Sequence, residues 1–297
     1  DGQKWTLQTI LGLTLSNGAP LVLAFSPSGH PAIAYNERRR GGSGSSANNE
    51  LKYALFDGRK WTTQVIDSGH YGNMGEYPSL TFSPSGHPAI SYTTGGINQL
   101  RYASFDGRKW TTQIIDSEAN VLFSTSLAFS LSGHPRISYY DLSADHSKKD
   151  LKCASFDGKR WSIETIDREG DVGAAPSLAF SPSGHPSISY HDATNGGLKY
   201  ASFDGKKWTT TTKLGFTSGF SSGPGTKGSR YHSLAFGPSG YPSISYTTRT
   251  YWKKAKAGNR RERGVNPPHR QRGGWNHPKY ASFDGQKWTV ETIDREG

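Results

Sequence analysis

Ionisable and aromatic residues sit side by side at a few points of this chain, in combinations suited to an acidic sugar chain. Tyr140-Asp141, His191-Asp192 and Arg230-Tyr231-His232 are the main groupings. Eliminating across a uronate residue needs a cation to neutralise the carboxylate, a base for the C5 proton and an acid for the leaving oxygen. Arg230, Tyr231, His232 and His191 supply those types and form the candidate catalytic set for such a reaction. Hydrolysis of a glycosidic bond would instead use paired carboxylates. Asp141, Asp192 and Glu76 are the acidic candidates, although Asp at a strand end also closes turns.

A second group suits binding without reaction. Tyr251, Trp252, Arg260 and Arg261 belong to a segment, 247–277, dense in Lys and Arg and opposed only by Glu262. Aromatic faces stack while cations pair with carboxylate, sulfate or phosphate. Arg38-Arg39-Arg40 opens another irregular segment, rich in Gly and Ser. The whole chain carries 35 Lys and Arg against 24 Asp and Glu, a net charge of +11. Such a balance favours an acidic glycan or another polyanion as partner. Nucleic acid meets the same charge criterion, but no recognised nucleic-acid fold accompanies the basic run. Neither His-x-His nor His-Glu-x-x-His spacing occurs, and Cys153 is the single cysteine, so no metal and no cofactor is expected.

The elements that must position these residues are repeats. The segment Ser177 to Tyr190, Ser-Leu-Ala-Phe-Ser-Pro-Ser-Gly-His-Pro-Ser-Ile-Ser-Tyr, recurs at Leu21–Tyr35, Ser79–Tyr92, Ser126–Tyr139 and Ser233–Tyr246. A second segment, Leu198 to Trp208, recurs at Leu51–Trp61, Leu100–Trp110, Leu151–Trp161 and Pro278–Trp288. Alternating apolar and polar residues make each unit four strands, A to D. Ser-Pro-Ser-Gly-His-Pro turns A into B, and Asp-Gly followed by basic residues turns C into D. Units fall at about 21–67, 79–116, 126–167, 177–214 and 233–294.

A four-stranded unit of roughly 50 residues is the size of a propeller blade. The fold expected is all-β, a five-bladed β-propeller in one domain. Blades bury their faces only against neighbours, so the repeated Trp61, Trp110, Trp161, Trp208 and Trp288 are assigned to the seams rather than to a ligand. Cys153, standing where other units carry Tyr, reads as a buried apolar residue. His30, His87, His134 and His185 share one A–B turn position and read as structural. A surplus D-like strand, residues 4–10, precedes the first unit; it is expected to pair at ring closure, to belong to a further blade, or to join two molecules.

The pattern Ser183 to Ala201, with Gly-His-Pro-Ser-Ile-Ser-Tyr-His-Asp and then Leu-Lys-Tyr-Ala, resembles repeats common in exported bacterial and archaeal proteins. The resemblance spans nearly the whole chain outside its irregular segments. It implies a propeller and export; it implies little about activity. By architecture alone, a five-unit ring also resembles five-bladed lectins of the tachylectin type. The chain opens on Asp1 rather than Met, which fits a processed protein, and secretion or a cell-surface location is expected. No run is long and apolar enough for a membrane helix.

Antiparallel strands place the A–B and C–D turns at one end, where they are short and uniform. The B–C segments (36–50, 93–99, 140–150, 191–197, 247–277) and the D–A linkers (68–78, 117–125, 168–176, 215–232) vary and share the other end. Variable connections on a rigid scaffold are where recognition is built. The ligand-binding candidates Tyr140, Asp141, His191, Asp192, Arg230, Tyr231, His232, Tyr251, Trp252, Arg260 and Arg261 all map to that end. Two functions follow: a lectin-like binding module for an acidic ligand, and a polysaccharide lyase or related glycan-active enzyme. A structural role in a surface assembly is the third.

Overall fold

The structure, a computed structural model, describes residues 20–38, 49–68, 74–96, 98–142, 149–211, 214, 232–251 and 274–293. These form five four-stranded antiparallel sheets, each with its strands in chain order. The first sheet holds β1 (Val22–Phe25), β2 (Pro31–Arg38), β3 (Asn49–Phe56) and β4 (Trp61–Ser68). The second holds β5 (Met74–Phe82), β6 (Pro88–Thr94), β7 (Leu100–Phe105) and β8 (Trp110–Asp116). The third holds β9 (Val121–Phe129), β10 (Pro135–Leu142), β11 (Lys149–Phe156) and β12 (Trp161–Asp167). The fourth holds β13 (Val172–Phe180), β14 (Pro186–Asp192), β15 (Gly197–Phe203) and β16 (Trp208–Thr210). The fifth holds β17 (His232–Phe236), β18 (Pro242–Tyr251), β19 (Gly274–Phe283) and β20 (Trp288–Thr292).

Local chemistry explains the hairpins. In each C–D turn an Asp accepts two backbone N–H bonds; Asp57 Oδ1 takes those of Arg59 and Lys60, both at 2.8 Å. Those donors pull the exposed carboxyl of Asp57 below its ordinary pKa. The following Gly58 has φ of 93°, a conformation that side chains disfavour. The expected turn at each of the five positions is therefore present.

Successive sheets pack through their first strands: β1 on β5, β5 on β9, β9 on β13 and β13 on β17. The first strand of each sheet is thus innermost, and the Trp-bearing fourth strand outermost. Four features recur at these seams. The Leu of the later first strand is buried, from Leu80 to Leu234. The Trp that opens the later fourth strand packs edge-on against the Tyr of the earlier third strand, as Trp110 does on Tyr53 with centroids 5.2 Å apart. Trp161 on Tyr102 and Trp288 on Tyr200 repeat it. Where the third sheet has Cys153 instead, that residue is fully buried and Trp208 packs against the same cluster. Burial pushes its thiol up to about 12. Edge-to-face pairs add about 0.5–1.5 kcal/mol each beyond area burial.

The third feature is a hydrogen bond from the later Leu N–H to an earlier Ser Oγ: Leu127 to Ser79, Leu178 to Ser126, Leu234 to Ser177. The fourth is a latch in which a second-strand Tyr donates to the Asp that ends the preceding sheet. Tyr92 reaches Asp67, Tyr139 reaches Asp116 and Tyr190 reaches Asp167 at 2.5, 2.7 and 2.6 Å.

The first strands are longer than the repeat pattern predicts. β5, β9 and β13 begin within segments 68–78, 117–125 and 168–176, which the sequence reading assigns to loops. Their register shifts at bulges, between Met74, Glu76 and Ser79 and between Val172, Ala174 and Ser177. An inserted residue breaks the two-residue alternation, so the strand continues where the pattern stops. The second strands likewise run on through Thr94, Leu142 and Asp192. In the fifth sheet, pairing extends to Tyr251 opposite Gly274, so the irregular part of 247–277 is shorter than expected. The surplus strand at residues 4–10 lies outside the described residues.

Candidate functional site

The two ends of the blades are distinct. At one end, the A–B histidine of each of the first four units lies over the glycine of its own C–D turn: His30 over Gly58, His87 over Gly107, His134 over Gly158, His185 over Gly205; in the fifth, Tyr241 lies over Gly285. His87 and His134 also meet Phe105 and Phe156 edge-on, centroids 6.4 Å apart. These contacts account for the repeated histidines by packing. The strand ends that lead into the irregular connections lie at the opposite end.

At that irregular end, the sequence-predicted residues divide. Tyr140 is buried on β10, and its hydroxyl donates to Asp171 Oδ1 at 2.8 Å. Burial, with the Asp171 hydrogen bond and charge, raises its pKa far above the ordinary value. Lys149 Nζ holds the other oxygen of Asp171 at 2.8 Å. The backbone N–H of Asp171 donates to Thr194 Oγ1, and its carbonyl accepts from Ala193. Those contacts tie it to the turn that follows Asp192. Asp192 is buried and accepts from the Asn195 backbone at 2.8 Å and its side-chain amide at 3.0 Å. Tyr140, Asp171 and Asp192 are therefore brought to one patch, where the third sheet meets the fourth.

Asp141 takes the Asn120 N–H at 3.0 Å and the Lys152 ammonium at 2.5 Å. His191 is buried on β14, opposite Ala174 in the bulged stretch of β13 and Leu198 of β15. Glu76 and Tyr77 occupy the matching bulge of β5, where Tyr77 has φ of 49° and its counterpart Ala175 in β13 has φ of 52°. Bulges with residues held in this region re-aim side chains at strand ends.

His232 opens β17, the innermost strand of the fifth sheet. Burial pulls its pKa down to about 4, against a weaker upward pull from a hydrogen bond to the Ser189 backbone. Its Nε2 is buried with no hydrogen-bond partner among the described residues. The imidazole is accordingly neutral at pH 7. Arg230, Tyr231, Trp252, Arg260 and Arg261 lie outside the described residues, and Tyr251 is described by its backbone alone.

Several cations described at this end face carboxylates, while Arg168 is exposed and Lys279 bonds Thr292. Lys52 faces Glu37, Arg101 faces Asp67, Lys152 faces Asp141 and Lys199 faces Asp167. Exposed, repeated basic pairs such as Arg59-Lys60 and Arg108-Lys109 stand instead on the uniform end. Sequence reasoning overlooked that ring, although the recurring Asp-Gly-Arg/Lys-Lys spelling shows it. It also overlooked Asp171, which shares a variable segment with Glu169 and which no local pattern marks. Among the described residues no group of His, Cys, Asp and Glu is placed to hold a metal ion, and no helix is long and apolar enough to cross a membrane.

Neither the protein-family models nor the curated proteins match this chain. Solved structures do. A Hadza microbial sialidase, Hz136, superposes with a TM-score of 0.57 at 13% identity, covering 94% of this chain and 59% of the sialidase. A PL25 ulvan lyase superposes with a TM-score of 0.55 at 13% identity, covering 95% of this chain and 71% of the lyase. Its complex with -[GlcA(1-4)Rha3S]- gives 0.54 at the same identity and coverage. The chain thus spans less than two thirds of the sialidase, and at these identities the likeness concerns fold. The sheets and these superpositions together make the chain a β-propeller, of an architecture found in glycan-active enzymes.

Proposed function

We propose that this protein is an extracellular propeller module that binds an acidic glycan at its irregular end. The observation that carries the reading is the segregation of the connections. Uniform turns, closed by their own Asp and His residues, occupy one end, and the strand ends that open into the variable segments lie at the other. Those segments hold the basic and aromatic run with Tyr251, Trp252, Arg260 and Arg261. Asp141 and Asp192, two of the described carboxylates there, are engaged in holding loops, Asp141 through the Asn120 N–H and Asp192 through Asn195. That use favours a binding surface over paired hydrolytic acids. The acidic, sulfated fragment held by the superposing ulvan lyase supports the ligand class.

The test is binding of a polyuronate and a sulfated glucuronate polymer at low and high salt. Affinity should fall as salt rises, because the contacts are ionic. Arg260→Gln with Arg261→Gln should weaken binding several-fold. Salt-insensitive failure to bind any polyanion overturns the reading.

One observation favours a lyase as the second reading. His232 is neutral, with an Nε2 that makes no bond among the described residues, on an innermost strand end. A neutral imidazole there has the protonation state that a proton-abstracting base needs. Incubation with uronate polymers, followed by the absorbance of unsaturated products, tests it. Full turnover by His191→Ala and His232→Ala variants would remove these residues from the reaction.

A further inference from the structure

Each internal seam joins two unlike halves, and the two outermost sheets each keep one half uncovered. The later half of a seam presents the first-strand Leu and its N–H. In β5, β9, β13 and β17 that Leu is buried, at 8% exposure or less. Its counterpart in β1, Leu23, is 60% exposed, and Phe25 beside it is 62% exposed. The earlier half presents the third-strand Tyr and a first-strand Ser. Tyr53, Tyr102 and Tyr200 lie under the Trp of the next sheet. In the fifth sheet the equivalent Tyr280 is 38% exposed and Ser233 is exposed. The uncovered face of the first sheet is therefore the complement of the uncovered face of the fifth.

We infer that these faces dock two copies of this chain head to tail, the fifth sheet of one against the first sheet of the next. The junction continues the interface already repeated inside the molecule. Leu23 would be covered as Leu234 is. Tyr280 would receive Trp61 as Tyr200 receives Trp288. Ser233 Oγ would accept the Leu23 N–H as Ser177 Oγ accepts that of Leu234. The exposed apolar row Leu21, Leu23 and Phe25 on the first sheet is of the kind that marks a contact surface. A contact between unlike faces leaves a free half at each end, so assembly can proceed beyond a dimer.

Sedimentation velocity over a concentration series tests this on the full chain. The expected result is a mass that rises above the monomer with concentration. Leu23→Asp and Tyr280→Asp, both at exposed positions, should each hold the protein at monomer mass while β-sheet circular dichroism and the melting midpoint stay near wild type. Mixing the two variants is decisive. The intact fifth sheet of the Leu23→Asp chain meets the intact first sheet of the Tyr280→Asp chain, so a dimer should form and grow no further. A wild-type protein that stays monomeric overturns the inference, whether the two faces close on each other within one molecule or the N-terminal segment covers them. Mixed variants that remain monomers overturn it equally.

Discussion

Asp167 shows how much one side chain carries at a seam. It receives Lys199 Nζ at 2.5 Å and the Tyr190 hydroxyl at 2.6 Å, and the pair is almost wholly buried. Burial by itself would raise the carboxyl's pKa, but the bonds from Lys199 and Tyr190 outweigh it and hold the group below its ordinary value. Replacing it with Asn strands a buried ammonium, and should cost about 3–5 kcal/mol in urea unfolding. A folded pKa below the unfolded one makes this contribution present above the unfolded value and lost as pH falls through the folded value. His232 acts in a higher window. Its pKa drops from 6.5 to about 4 on folding, so the folded state resists protonation. Stability should be intact above pH 6.5 and decline as pH falls toward 4, by about 3 kcal/mol in all. Unfolding midpoints measured between pH 7 and 4 should show that decline, and His232→Phe should flatten it.

At the scale of the strand, the bulged first strands depend on glycine. A Cβ on Gly173 would lie 2.7 Å from the Leu151 Cα, with φ at 106°, so both space and backbone oppose a side chain. Gly75 meets Leu51 in the same way in the second sheet. Gly29, in an A–B turn at φ of 80°, has nothing within 4 Å of its Cβ position. Gly29→Ala should therefore cost only the backbone penalty, about 1–2 kcal/mol. Gly173→Ala should cost at least about 1 kcal/mol more, since β13 must move off β11. Chemical denaturation of the two variants side by side checks the order. The hairpins were legible because Asp-Gly and Ser-Gly-His-Pro are local instructions. The bulges were not, because a bulge is defined by the partner strand's register, which alternation within one strand does not encode.

For the molecule as a whole, stability is built between neighbours. β6 and β14, in sheets flanked on both faces, are buried along their entire length. β1 alternates partly buried with exposed residues, where β5 and β13 hold buried ones. In a repeat array each unit draws stability from its two interfaces. Native-state hydrogen exchange should accordingly be slowest in β6, β10 and β14 and fastest in β1 and β20, the end sheets opening first. Uniform protection across all five sheets would contradict nearest-neighbour stabilisation.

The repeat spelling by itself determined the all-β class, the four strands of each unit, the turn chemistry and the division of connections between two ends. All of these follow from interactions a few residues apart or from strict repetition. It also assigned the Trp series and the turn histidines to packing. Only the tertiary structure decided that Asp67, Asp116 and Asp167 latch the next sheet, that Asp171 draws Tyr140 and the turn after Asp192 together, and that His191 is buried rather than presented. These pairings cross from one sheet to its neighbour. They depend on how the sheets are set against each other in space, and no periodicity along a single strand records that placement.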